Sequence, residues 1–157
     1  MAFEIGSTLH AVESYVQASG LFNSVQVGEP KSPPGQGYHA AIFMRSVAIN
    51  LVYAGGDTRE NHIVTLRIYR DMLAEQTDAQ QSLENEMAVV VSKIMSDLLG
   101  DSDLESTIMT LDAAGMDGGA LRADYGYLDV GGSMYRVADL TLPFIVNGSA
   151  TVVGTGV

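Results

Sequence analysis

The sequence predicts an α+β fold: a single domain with a mostly antiparallel β-sheet and two α-helices packed on it. Helical spacing of apolar residues occurs twice, near residues 8–19 and 78–99, and each time gives way to period-two alternation. Glycine is plentiful, at 17 of 157 residues, which favours many turns over a helical bundle. Hydrophobic residues make up 46% and charged ones 17%, enough for a real core in a chain of ordinary single-domain length. With no internal repeat and no interdomain linker, residues 1–157 read as one domain, ending in a flexible tail over about 148–157.

The first helix is expected over 8–19, with Ser7 as its N-cap and Gly20 as the left-handed residue that ends it. Leu9, Val12 and Val16 share one face with Tyr15 alongside, and Leu21 and Phe22 pin the exit to the core. A short strand is expected over 25–28 and a long one over 38–53. Residues 54–60 read as a turn, and a strand follows over 61–70. There Val64, Leu66 and Ile68 take one face and Thr65, Arg67 and Tyr69 the other. The connection is too short for a crossover, so these two strands form an antiparallel hairpin.

The second helix is expected over 78–99, about 33 Å long. Thr77 and Gln80 make a capping box, Leu83, Met87, Val90, Val91, Ile94 and Leu98 make its apolar stripe, and Gly100 closes it. A strand is expected near 106–112. A hairpin then turns at Gly131-Gly132, where two positive φ angles are cheap. On its return strand Ala138, Leu140, Leu142, Phe144 and Val146 alternate onto one face, and Pro143 marks an edge or a bulge.

The formal net charge is −11, with eight Lys plus Arg against 19 Asp plus Glu. That disfavours affinity for DNA or anionic lipid and suits a surface past which DNA slides without sticking. The absence of cysteine removes disulfides, thiol catalysis and Cys-ligated metal sites. The first ten residues lack the basic and apolar regions of a secretory signal, and the longest clean apolar run, 87–91, is far too short to span a bilayer. The chain is expected to be soluble.

No catalytic, metal or cofactor site is expected. His10, His39 and His62 lie on separate elements with no metal-ligand spacing between them, and read as structural or surface residues. Asp101, Asp103 and Glu105 alternate as in a calcium loop, but Ser106 stands where the loop needs glycine and Asp112 where it needs glutamate. A solvated turn is the better reading. No G-x-S-x-G is present, and Gly131 to Ser133 is better explained by the hairpin. No carboxylate pair can be assigned as acid and base, and nothing in the sequence marks an enzyme.

Two features point instead to contacts with other chains. The first is a proline-rich arm, Glu29, Pro30, Lys31, Ser32, Pro33, Pro34 and Gly35. It fails as a phosphate loop because Lys31 precedes the glycines and no helix follows. Its prolines preset φ, so it is either an arm that docks on a partner at little entropic cost or a stiffened surface connection. The second is a charge layout. Between residues 71 and 105 nine acids face Lys93 alone, whereas Arg45, Arg59, Arg67 and Arg70 gather on the central hairpin. Complementary surfaces of this kind are what a head-to-tail ring requires, although two unrelated solvated faces give the same pattern.

Three segments carry a family likeness: LHAVESYVQASGLFNSVQVGEPKSPPGQGYHAAIF (9–43), VTLRIYRDML (64–73) and YRVADLTLPFIVN (135–147). In their combination and order the chain resembles the tail terminator proteins of long non-contractile-tailed phages, especially those of actinobacteria. The stretch 75–124 adds little. The resemblance implies a tail-terminator-like domain and a homo-oligomeric, hexameric ring. Such a ring caps the head-proximal end of the tail tube, stops its polymerisation and joins the head-side connector while DNA passes through its lumen. It implies no catalysis, no cofactor and no membrane contact, and a place in the virion after synthesis in the host cytoplasm. It marks the arm, 29–35, as a contact element.

Overall fold

The structure, a computed structural model, describes residues 5–72, 77–101, 104, 109–116 and 119–149, with side chains for all of these except 77–80 and 148–149. The elements run α1 (Ile5–Ala18), β1 (Ser24–Val27), β2 (Tyr38–Val52), β3 (Asp57–Asp71), α2 (Thr77–Gly100), β4 (Met109–Leu111), β5 (Arg122–Val130) and β6 (Ser133–Ser149). They form one sheet in the order β1-β2-β3-β6, with β4 and β5 end to end along the far side of β6. Every pairing is antiparallel except β1 with β2. The α+β expectation holds.

Both helices lie on one face of the sheet. Val12 and Val16 of α1, and Met87, Val91, Ile94 and Leu98 of α2, pack on Ala40, Ile42, Val64, Leu66 and Ile68 and on the alternating residues 138–146 of β6. The expected stripe of α2 is the buried one, with Val90 at its margin. Leu140, Leu142, Phe144 and Val146 are each fully buried, worth roughly 1.5–3 kcal/mol apiece. On the opposite face a smaller cluster gathers Ala41, Tyr69, Val130, Tyr135 and Val137.

Several boundaries differ from the sequence reading, each for a tertiary reason. Ser7 is not an N-cap, because α1 already runs from Ile5 and Ser7 lies inside its first turn. That turn is held from outside, where Thr8 bonds to His62 of β3. Residues 57–60 are not turn but strand. Tyr53 donates to Asp57 and Gly56 to Tyr53, so the chain reverses over 53–56 and β3 begins at once. Its early start is matched by the end of β6, since Thr58 pairs with Gly148 and Asp57 with Ser149. The first two residues expected to be flexible tail are therefore strand, and 150–157 lie outside the described residues. Gly100 closes α2 as expected, as its last helical residue, with Asp101 N–H still donating to the Asp97 carbonyl. The capping box at Thr77 and Gln80 falls on side chains outside the described residues.

Pro143 is neither at an edge nor in a bulge. It sits in the central strand β6, in unbroken register opposite Ile63. Its carbonyl accepts from Asp112 N–H just beyond β4, at the gap between the end of β5 pairing at Thr141 and the start of β4 pairing at Phe144. N–H and C=O of one strand residue point the same way. The missing donor therefore falls where the neighbouring strand changes, and the one bond forgone is the reciprocal one to Asp112, just past the end of β4.

The Gly131-Gly132 turn is as expected, with φ of 58° and 91°. A Cβ on Gly131 would also lie 2.8 Å from Pro33 Cδ, so this turn carries both a backbone and a packing constraint. Gly131→Ala is expected to lower stability by about 1–2 kcal/mol in urea denaturation.

Candidate partner-binding surface

The proline arm folds back on its own sheet. Gly35 N–H donates to Tyr135 Oη at 3.1 Å, and Gly37 N–H donates to Asp71 Oδ1 at 2.9 Å. Glu29 accepts from Arg67 Nη1 at 2.7 Å, and Pro33 lies over the Gly131 turn. The arm thus straps the smaller apolar cluster, where Tyr69 and Tyr135 meet edge to face with centroids 6.0 Å apart. Pro30 and Pro34 are half-buried, and Lys31, Ser32 and Pro33 stay exposed at its crest.

The arginines of the hairpin divide. Arg67 forks onto Asp139 at 2.6 and 3.0 Å and stacks over Phe43 at 5.3 Å. The Asp139 bond pushes its pKa further above the ordinary arginine value, against the opposing effect of burial. Arg70 pairs with Asp71, stacks on Tyr38 and reaches Glu86 of α2 at 3.9 Å. Arg59 is half-buried, whereas Arg45 is exposed and has no ion pair among the described residues. Arg136 of β6 was not among the expected site residues. It forks onto Glu84 at 2.5 and 3.1 Å and stacks on Tyr127 at 4.6 Å. Part of the acid-to-arginine complementarity is therefore used inside the chain, to seat α2 on the sheet.

The distal half of β2 is the least covered part of the sheet. β1 pairs with β2 only as far as Ile42, where Gly28 N–H donates to the Ile42 carbonyl. Beyond it Ile49, Leu51, Val52 and Tyr53 remain about half exposed. The register with β3 slips at Arg45 and again at Asn50, two bulges that twist the strand. The length of the strand was legible in the sequence. Its bareness was not, because that depends on where β1 stops.

Beneath the same hairpin lies a polar chain the sequence reading missed. Thr58 Oγ1 donates to Glu60 Oε2 at 2.5 Å, Glu60 Oε1 meets His62 Nε2 at 2.7 Å, and His62 Nδ1 meets Thr8 Oγ1 at 2.9 Å. An ionised carboxylate can only accept, so a proton on His62 Nε2 completes the contact with Glu60. Threonine, histidine and glutamate in line resemble a nucleophile with its base, but all four side chains are buried and no substrate could reach them. Their signal was the alternation Thr58, Glu60, His62 in phase with Val64, hidden by reading 54–60 as a turn. His39 is likewise structural, held by Ser24 and the Gln36 carbonyl, and His10 is exposed beside Glu13. A groove of about 410 Å³ between α1 and the end of α2 presents Asp97 and Asp101 with Ser14 and Ser19 and, among the described residues, no histidine. Of the calcium-like acids, Asp103 and Glu105 lie outside the described residues.

No protein-family model and no curated protein matches this sequence. Among solved structures the chain is similar to one described as the sheath/tube terminator, in the extended state, of an extracellular contractile injection system (PVC). The TM-score is 0.43 at 15% identity, over 96% of this chain and 61% of the other. This chain thus spans about three-fifths of that one's length.

Removing one member of the buried polar chain strands the others. Glu60→Ala is expected to cost about 3–5 kcal/mol in urea denaturation, and Glu60→Gln less, because the amide oxygen still accepts. Burial raises the Tyr69 phenol above its ordinary 10.0. The folded state therefore favours the neutral ring, a contribution complete below pH 10 and lost as pH rises through the raised value. Stability is expected to fall above pH 10, and Tyr69→Phe to make that fall shallower.

Proposed function

We propose that this chain is a structural subunit that forms a ring, hexameric in our reading, capping the head-proximal end of a phage tail tube. The ring ends tube growth and presents a joining surface to the head-tail connector. The observation that carries the reading is the bare distal half of β2, a long apolar strand projecting past the last strand that could cover it. The three sequence segments that resemble tail terminators support the particular role, and they include the helix, arm and strand that build this side of the sheet.

The partners in this reading are further copies of the chain, the tube protein and the connector protein. DNA crosses the lumen unbound, in keeping with the net charge of −11. The exposed crest of the arm, Lys31 to Pro33, and the exposed Arg45 are the contact residues we favour. Glu29, Arg67 and Arg70 are engaged within the chain and position that surface. No catalytic step is assigned, since the one nucleophile-like constellation among the described residues is sealed.

Deleting the gene and imaging the particles tests the role. Tails of irregular or excessive length, detached from heads, are expected. Tails of normal uniform length joined to heads would overturn it, and purified protein that polymerises without limit would identify a tube subunit instead. Replacing Pro33 and Pro34 with glycine is expected to weaken joining while the monomer stays folded, as read by head-tail assembly and circular dichroism. Unchanged joining would reduce the arm to a strap.

A further inference from the structure

We infer that the free edge of β2 beyond Ile42 takes a donated strand, the segment of residues 150–157 that follows β6, supplied by a second copy of this chain. The choice of a second copy rests in part on the ring reading above. The open edge and the reach of the segment do not depend on it.

Among the described residues, β2 past Ile42 hydrogen-bonds to β3 on one side and to nothing on the other. Its outward amides and carbonyls are a template for another strand, and proteins usually guard such edges with charge or proline. From residue 44 to 53 the sequence MRSVAINLVY has one charge, Arg45, and no proline. The register with β3 slips at Arg45 and at Asn50, so Ser46 to Ile49 form a regular stretch between two bulges. A long rigid partner would have to follow both bends. A short donor needs only the stretch between them.

The segment after β6 has the chemistry of such a donor. It reads ATVVGTGV, with Thr151, Val152 and Val153 in a row and neither proline nor a charged side chain. Val47 and Ile49 share the face of His62 and Glu60, their partners in β3. Successive strand residues alternate faces, so one of the two adjacent valines meets Val47 or Ile49 in any register. Charge agrees. Copies of a chain with net charge −11 repel in general. An uncharged segment on an edge that carries Arg45 alone adds no repulsion of its own.

Reach decides whose segment it is. β6 ends at Ser149 opposite Asp57, and β3 and β2 stand between it and the open edge. A strand added to that edge lies three strand spacings from β6, about 14 Å. Val153, four residues past Ser149, spans about 14 Å only when fully extended straight across the sheet. The reversal over 53–56 also has to be cleared. Thr151 to Val153 are therefore spent on the crossing in their own chain, and can lie along the edge only of another copy. Because the segment is a tether, the donation fixes no common height for the two sheets. Each copy gives one strand and receives one, and a head-to-tail series of such contacts closes a ring if the rotation permits.

The test uses the full chain, sedimented from about 1 µM to about 1 mM and followed by amide hydrogen exchange. Association is expected, with exchange at 44–52 and at 151–153 slowed at least about tenfold in the associated form alone. Val152→Pro with Val153→Pro removes two ladder donors, and is expected to weaken association at least about tenfold with circular dichroism unchanged. If that variant unfolds, the concentration dependence of exchange in the wild-type chain decides. A chain that stays monomeric throughout would overturn the inference. So would protection of 44–52 already present in the monomer, which would mean the edge is covered within one chain. Association that leaves 151–153 unprotected would overturn it too, yet leave a ring built on another surface. A closed dimer with both stretches protected would uphold the donation and remove the ring. Protected stretches together with normal tails after gene deletion would uphold the donation and remove the tail role.

Discussion

The register between β3 and β6 is the constraint on which the rest of the molecule depends. The two strands pair without a slip from Asp57 opposite Ser149 to Asp71 opposite Tyr135. Because side chains alternate, a shift of one residue would turn Leu140, Leu142 and Phe144 out of the core and bring Asp139 in. The same register sets His62 and Glu60 under α1, and Arg67 opposite Asp139 on the other face. Helix seat, buried polar chain and arm anchor therefore all follow from one pairing.

The two faces use that register differently. The helix face is an apolar core with a polar chain at one end, and both helices are tied to the sheet by specific groups. Thr8 holds α1, and Glu84 and Glu86 hold α2. The other face has too few apolar residues to close by itself. The arm completes it, and its prolines make the closure cheap because little chain freedom is left to lose. A segment that looks made for docking thus has a job within its own chain. Its exposed crest remains available to a neighbour.

Electrostatics follow the same division. Most arginines of the sheet are held by carboxylates at hydrogen-bond distance and by aromatic faces, so the local arrangement is tight although the chain as a whole is strongly acidic. Arg45, at the bulge on the bare edge, stands apart from this pattern. A surplus of negative charge makes copies of the chain repel unless a specific contact outweighs it.

Periodicity makes much of the fold legible in the amino-acid order. The stripe from Leu83 to Leu98, the alternation from Ala138 to Val146, and the paired glycines at 131 and 132 each report local geometry, and local geometry is what sequence encodes directly. The candidate surface was legible only as residue types: an arm rich in proline and arginines on a hairpin. Which of those residues face inward depends on partners far along the chain. Tyr135 meets Gly35 across 100 residues and Asp139 meets Arg67 across 72. The extension of β3 back to Asp57, the place of Pro143 beside a strand change, and the point where β1 stops covering β2 are likewise settled by neighbours. The sequence by itself determined the elements and the absence of any local catalytic or metal motif, because these reside in short-range spacing. The tertiary structure alone decided which polar groups are sealed, which arginines are engaged and which sheet edges stay open, because each of those is a relation between distant segments.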